Sequence, residues 1–108
     1  MRILSLKTLC DFWERHADAK SALTAWYATA RDKNWETPAD VIKTYRKADV
    51  IGGIILVFDI CNGDYRLVVT ANYKKKILYV YGVYTHSDYD RLDLKAIAEN
   101  ISQRYHLS

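Results

Sequence analysis

The chain has 108 residues, half of them hydrophobic, and includes nine tyrosines and three tryptophans. This length suits one domain with a single core, and the apolar content excludes a disordered chain. The net charge is only +3, yet seven lysines and arginines face three aspartates between residues 43 and 76. Cations beside tyrosines are typical of a surface that binds a polyanion such as RNA, although a solvated face of a soluble domain gives the same pattern.

The sequence carries no signal for secretion, membrane insertion or metal binding. Acidic residues follow the N-terminus closely, so no signal peptide is visible, and the longest apolar run is only long enough for a strand. Cys10 and Cys61 are isolated and lack the paired spacing of metal or redox sites, so we expect inert thiols. We therefore expect a cytoplasmic protein.

The first segment predicts a short strand and a helix. The short strand is expected over residues 2–4, and Ser5 is a suitable N-cap for a helix that runs to about His16. Its apolar positions recur at helical spacing: Leu6, Leu9, Cys10 and Trp13.

Two further helices follow in the N-terminal half. Asp18 is a suitable N-cap for the first, and Asn34 is suited to a left-handed residue at its end. Thr37-Pro38-Ala39-Asp40 combines a cap, a first-turn proline and a returning carboxylate, which predicts a short helix to about Tyr45.

The second half predicts three strands and a last helix. Residues 46–53 look like a loop, and residues 54–60 are apolar enough for a well-covered strand. Asn62-Gly63 predicts a hairpin, because both positions tolerate positive φ. The remaining elements are a strand over residues 64–73, a turn at Lys74-Lys75, a strand over residues 77–85 and a helix over residues 93–105.

This order predicts an α+β domain over residues 1–108. We expect an N-terminal helical hairpin packed on one face of a small antiparallel sheet, followed by the C-terminal helix.

Polar residues interrupt the last two strands and suggest a site. Arg66 breaks an apolar strand, and residues 84–91 add an imidazole, phenols, carboxylates and a guanidinium just after the next one. Period-two alternation places Leu67 with Tyr65, Val69 and Ala71, and Arg66 with Val68, Thr70 and Asn72. On the following strand it groups Leu78, Val80, Gly82, Tyr84 and His86.

The register between these strands decides whether the polar groups meet, and the sequence leaves it open, because a shift of one residue exchanges the faces. If Arg66 lies opposite Tyr84, both cluster with His86 over one edge of the sheet. Gly82 would then leave a bare patch where a ligand could approach the backbone.

Such a cluster suits cleavage of RNA, whose 2′-hydroxyl supplies the nucleophile. His86 can act as acid or base near neutrality, Arg66 matches phosphate oxygens, and Tyr89 can donate a proton, orient the phosphate or stack a base. Each residue also has a structural interpretation: Arg66 as an edge-strand cation, His86 as a surface residue, and Tyr84 and Tyr89 as packing residues. The spacing alone does not choose between these interpretations.

Several segments together resemble the HigB-type toxins, a branch of the RelE superfamily of bacterial toxin–antitoxin systems. They are Asn34-Trp35 with Pro38 and Asp40, Val57-Phe58-Asp59-Ile60, Gly63-Asp64-Tyr65-Arg66-Leu67-Val68, and Val83-Tyr84-Thr85-His86 with Tyr89-Asp90. The resemblance covers nearly the whole chain and implies a RelE-like fold. It further implies an endoribonuclease that cuts mRNA, in this superfamily often on the ribosome, with no metal or organic cofactor.

The resemblance also implies roles for individual residues. Arg66 matches the strand arginine that holds phosphate, and Tyr89 lies near the C-terminal catalytic tyrosine. His86 departs from the pattern, because the best-known members carry a second arginine there, so the acid and base roles stay open. The implied partners are mRNA, the ribosome and a HigA-like helix-turn-helix antitoxin, with DNA reached only through that antitoxin and no membrane.

We therefore predict Arg66, His86 and Tyr89 as catalytic residues. The predicted RNA-binding residues are Lys43, Arg46, Lys47, Lys74, Lys75, Lys76 and Tyr84. The alternative is an inhibitor of translation that binds RNA or the ribosome without cutting, because a basic, tyrosine-rich sheet suffices for binding.

Overall fold

The computed structural model describes the backbone of residues 1–105 and the side chains of residues 1–101. Five strands and five helices occur in this range, and a single 3-10 turn joins the first two helices. The strands are β1 Arg2–Leu4, β2 Asp49–Ile51, β3 Ile55–Ile60, β4 Tyr65–Asn72 and β5 Ile77–Thr85. The helices are α1 Leu6–Arg15, α2 Lys20–Asp32, α3 Pro38–Thr44, α4 His86–Tyr89 and α5 Leu94–Tyr105. None of these helices is long and apolar enough to cross a membrane.

The five strands form one sheet in the order β1-β5-β4-β3-β2. Strands β2 to β5 are antiparallel neighbours, while β1 runs parallel to β5. The α+β class is therefore confirmed. The sheet is mixed and not antiparallel throughout, because β1 pairs with β5 in the parallel direction.

Both faces of the sheet are covered, which corrects the prediction that helices pack on one face. Helices α1, α2 and α3 cover the first face with Leu9, Leu23, Trp26 and Val41, among others. Helix α5 covers part of the second face, where Leu94 and Ala98 pack on Ile55, Val57 and Val68. A strand buried on both faces must be apolar throughout, which explains the composition of β3.

One of the predicted helix ends is confirmed in full, one in position only, and two are wrong. Thr37 accepts a hydrogen bond from the Asp40 amide and the Asp40 carboxylate accepts one from the Thr37 amide, as predicted for α3. Ser5 is the N-cap residue of α1, as predicted, but it has φ 69° and its side chain makes no capping hydrogen bond. Asp18 lies in the 3-10 turn, where its carboxylate accepts from a tyrosine hydroxyl instead of capping α2. Helix α2 ends at an extended Lys33, so Asn34 is not its left-handed stop.

The strands follow the prediction more closely than the caps. The hairpin at Asn62-Gly63 is confirmed, with Cys61, Asn62 and Gly63 all at positive φ. The predicted loop over residues 46–53 is partly wrong, since β2 lies within it and forms one edge of the sheet.

Candidate active site

Arg66 lies near the first end of β4 and is the centre of a polar cluster. Its register neighbours are Tyr84 on β5 and Asp59 on β3, so the register that the sequence left open is the one that brings Arg66 opposite Tyr84. The Nη1 atom of Arg66 lies 2.9 Å from Oδ1 of Asp59 and donates a hydrogen bond of 3.0 Å to the carbonyl of Gly63. With its side chain only 20% exposed, Arg66 is held in place by groups on both sides.

Asp59 is a residue of this cluster that the sequence pattern did not predict. It is the only charged residue in β3, and its side chain is 35% exposed, while its neighbours in the strand are buried. A single carboxylate in an otherwise apolar strand is the signal that could have identified it, because a charge in such a strand needs a partner. That partner is Arg66.

Gly63 brings the hairpin close to the guanidinium. Its φ is +95°, and a Cβ atom at this position would lie 3.0 Å from Nη1 of Arg66. Only glycine combines this backbone conformation with space for the arginine. The Asn62-Gly63 turn thus contributes to positioning Arg66 as well as reversing the chain.

Tyr89 lies against the other side of Arg66. Thr85 ends β5 and accepts a hydrogen bond from the amide of Asp88, which starts the four-residue helix α4. The guanidinium carbon of Arg66 lies 5.7 Å from the centre of the Tyr89 ring, within the range of a cation–π contact. Burial raises the pKa of Tyr89, Asp49 adds to the rise, and Arg66 opposes it. Tyr89 is therefore a protonated phenol at neutral pH.

His86 is the most exposed of the three predicted catalytic residues, with a side chain 62% exposed. It opens α4, and its Nε2 atom lies 3.5 Å from Oδ2 of Asp90, one helical turn later. The sequence pattern predicted that His86 continues the alternation of β5. This is wrong, because the strand ends at Thr85. The imidazole is therefore exposed to solvent at the start of α4.

A β-bulge between Val68 and Val69 changes which residues of β5 share a face. Val69 pairs with Val80, but Val68 pairs with Gly82, so Tyr81 is the extra residue. Consequently Leu78, Val80 and Val83 face the first core, whereas Tyr84 packs at the second. The predicted grouping of Tyr84 with Leu78 and Val80 is therefore wrong.

Gly82 does not leave the bare patch that the sequence suggested. The ring of Tyr84 lies over it, and a Cβ atom at Gly82 would be 2.5 Å from the Tyr84 hydroxyl oxygen. Glycine is needed here for the tyrosine. Burial raises the pKa of Tyr84, and Tyr81 contributes to the rise, so this phenol also stays protonated at neutral pH.

Two of the predicted basic residues lie beside the cluster. Arg46 and Lys47, in the loop before β2, line a cavity of about 360 Å³ together with Asp59 and Asn62. Lys43, in the last turn of α3, is close to them in sequence, but it does not line this cavity. Arg46 and Lys47 therefore add positive charge beside Asp59, in the loop before β2.

The other predicted basic group lies at the opposite end of β4. Lys74 and Lys75 are exposed in the turn to β5. Lys76 donates a hydrogen bond of 3.2 Å to the carbonyl of Trp35 and lies 3.9 Å from Glu36. The fold separates these lysines from Arg66 by the length of the strand, and it uses Lys76 to hold the loop after α2.

A second polar group supports the first end of β4. The Tyr65 hydroxyl donates to the carboxylate of Asp18 at 2.8 Å, and the ring lies 5.1 Å from that of Phe12 and 5.3 Å from that of His16. The hydrogen bond to Asp18 raises the pKa of Tyr65 to about 12. It ties the residue next to Arg66 to the helical layer.

A model of the HigB toxin family, described as the RelE-like toxic component of a toxin–antitoxin system, matches residues 19–92, more than half of the chain.

The chain belongs to the HigB toxin family.

The resemblance that the sequence suggested is therefore confirmed, and the protein is the toxin of a toxin–antitoxin system, with an antitoxin as its partner. The match includes the whole Arg66 cluster and leaves out β1, α1 and α5. No curated protein sequence matches the chain.

Proposed function

We propose that this HigB-family toxin is an endoribonuclease that cleaves mRNA by attack of the 2′-hydroxyl on the adjacent phosphate. The observation that supports this most directly is the fixed Arg66 guanidinium, with Asp59 on one side and Tyr89 on the other. A planar, always charged group at a partly exposed position suits a phosphate whose charge grows in the transition state. RNA brings its own nucleophile, so the protein needs only to orient, stabilise charge and move protons.

Arg66 holds the scissile phosphate in this proposal. One of its nitrogens is occupied by Asp59 and Gly63, which fixes the direction of the guanidinium fork. A phosphate binds to the remaining donors of the guanidinium. Arg46 and Lys47 add positive charge on the Asp59 side of the phosphate.

His86 and Tyr89 divide the proton transfer and orientation. The Asp90 carboxylate orients the imidazole of His86, so that one ring nitrogen faces the carboxylate and the other is free for the substrate. Tyr89 is a protonated phenol at neutral pH, and its raised pKa favours that form further, so it donates a hydrogen bond to the phosphate or the leaving oxygen. His86 is then the group that takes or returns a proton near neutral pH.

The ribosome presents the RNA in this proposal. The cluster is open and contains no strong general base, so a small protein gains from a substrate that is already aligned for in-line attack. Exposed cations such as Lys43 and Lys74 would contact ribosomal RNA phosphates. The antitoxin partner in this proposal is a HigA-like helix-turn-helix protein, through which the toxin reaches DNA indirectly.

One observation favours the alternative, a toxin that binds RNA or the ribosome without cutting. Arg66 already has an ion-pair partner inside the protein, so a phosphate must compete with or share it. Cleavage products mapped by primer extension in cells that express the toxin distinguish the two functions, because a binder leaves mRNA ends unchanged.

The decisive variant is Arg66→Ala, which we expect to abolish growth arrest and to slow RNA cleavage by about 10²–10³-fold. Arg66→Lys should rescue only part of the loss, because an ammonium does not reproduce the planar fork. Arg31→Ala is the matched control: Arg31 also lies over a tyrosine ring, that of Tyr27 at 5.5 Å, but on α2. A folded Arg66→Ala protein that cuts RNA at the wild-type rate would contradict the proposal.

A further inference from the structure

A groove on the second face of the sheet has no role in the chemistry described above. Helix α5 covers β3 on this face but leaves the β5 side open, where Tyr79 and Tyr81 are 44% and 45% exposed. The groove between the strand and the helix has a volume of about 650 Å³. Large aromatic side chains that stay exposed along a groove mark a binding surface.

The chemistry of the groove suits single-stranded nucleic acid. Besides the two tyrosines, its polar lining includes the amides of Asn72 and Asn100 and the ammonium of Lys75. Lys75 is the only charged residue in the described lining, so an anion meets attraction and no repulsion there. Exposed rings that stack on bases, next to cations that meet phosphates, are the usual platform for single strands.

The β-bulge at Tyr81 connects this groove to Arg66. Without the extra residue, strict alternation would place Tyr84 on the opposite face from Tyr79. With it, the three tyrosines lie along the same face, and Tyr84 is paired with Arg66 while Tyr79 is paired with Thr70. Arg66 and Thr70 are four residues apart on β4, or about 13 Å, a distance that a few nucleotides span.

We propose that the groove binds the single-stranded RNA that flanks the phosphate held by Arg66. Tyr79 and Tyr81 stack on successive bases and Lys75 contacts a phosphate. This inference rests on the proposed function, since the strand in the groove is the substrate of the Arg66 cluster, and it adds a subsite outside that cluster.

The probe is a fluorescent, uniformly 2′-O-methylated oligoribonucleotide, which carries no nucleophile and so reports binding alone. The double variant Tyr79→Thr, Tyr81→Thr removes both rings and replaces them with threonine, a β-branched residue that suits a strand. We expect the dissociation constant, measured by anisotropy, to rise about tenfold or more. Tyr79→Phe with Tyr81→Phe is the matched control and should bind as the wild type does, because the rings remain.

Lys75→Gln tests the phosphate contact separately. It should lower the slope of log affinity against log salt by about 0.7, the value for one phosphate contact on a single strand. Lys7→Gln, on α1 with a side chain 88% exposed, should leave the slope unchanged.

The outcomes separate this inference from the proposed function. Reduced binding by the threonine variant supports the groove even if the wild type cuts no RNA, in which case only the ribonuclease proposal fails. Equal oligonucleotide binding by the threonine variant and the wild type would overturn the groove and leave the Arg66 proposal intact. The groove would also be overturned if the wild type did not bind the oligonucleotide at low salt. If the threonine variant binds RNA normally but is no longer neutralised by its antitoxin, the groove is a protein-binding surface and the inference is wrong.

Discussion

A tyrosine lies at each end of β4, and the two differ in what surrounds their hydroxyl groups. Tyr65 opens the strand and donates to the carboxylate of Asp18, whereas the hydroxyl of Tyr73, just after the strand, is buried with no hydrogen-bond partner among the described residues. Each has a pKa of about 12, raised mainly by the Asp18 bond at Tyr65 and by burial at Tyr73. Directed polar contacts thus position the Arg66 end, while packing and Lys76 hold the other end.

The largest effect is expected from a substitution in the hairpin that positions Arg66. Gly63→Ala should reduce the free energy of unfolding by about 1–2 kcal/mol because of its positive φ. It should also slow RNA cleavage by about tenfold, because the new methyl group shifts the guanidinium by a fraction of an ångström. Urea denaturation and single-turnover cleavage measure the two effects.

Gly53→Ala is the control for Gly63→Ala. Gly53 has φ +77°, but a Cβ atom there would meet nothing within 4 Å. We expect a similar loss of stability and no loss of cleavage. Equal cleavage by both alanine variants would mean that the position of Arg66 does not depend on the hairpin.

At the opposite end of β4, two adjacent lysines should differ in their effect on stability. Lys76→Met removes the hydrogen bond to the Trp35 carbonyl and should lower the free energy of unfolding by about 1 kcal/mol. Lys75→Met, in the exposed part of the same turn, should change it by less than about 0.5 kcal/mol. If both variants unfold at the same urea concentration, Lys76 has no structural role and belongs with the exposed cations.

The smallest expected effect is the alkaline dependence of stability. A tyrosine whose folded pKa is raised from 10.0 to about 12 keeps its proton longer when folded. Its contribution is therefore complete below pH 10 and is lost as the pH rises toward 12. Tyr65→Phe and Tyr73→Phe should each make this alkaline loss shallower.

The two phenylalanine variants should differ at neutral pH. Tyr65→Phe removes a hydrogen bond and should lower the urea midpoint, whereas Tyr73→Phe removes an unpartnered buried hydroxyl and should leave the midpoint unchanged or raise it. A lower midpoint for Tyr73→Phe would show that its hydroxyl has a partner after all.

Much of the fold could be predicted because local signals agree with it. Thr37 and Asp40 form a cap whose two partners are close in sequence, and Asn62-Gly63 favours a hairpin by backbone conformation alone. Strand β2 was missed because three residues beside two glycines carry little periodicity. The parallel pairing of β1 with β5 depends on contacts between the ends of the chain, which no local pattern contains.

The candidate site was predicted in part for a related reason. Arg66 and Tyr89 stood out as polar residues in or after apolar strands, and they lie in contact. The faces of β5 were predicted wrongly, because a bulge at Tyr81 adds one residue to the strand. Gly82, next to the bulge, is the only local sign of it, and a glycine in a strand fits a close approach to a ligand equally well. Asp59 was overlooked because its significance depends on the register that places it beside Arg66.

The parallel pair of β1 and β5 has a consequence for how the toxin is made. Arg2 pairs with Ile77, so the first strand to leave the ribosome must wait for β5, the last strand of the sheet, before this edge of the sheet can form. Contacts this distant in sequence slow folding, because the loop between them must close first. Helix α4, with His86 and Tyr89, comes directly after β5. We therefore expect an unfinished toxin chain on the ribosome to be inactive. The antitoxin then has the time of one round of translation before it must neutralise an active toxin.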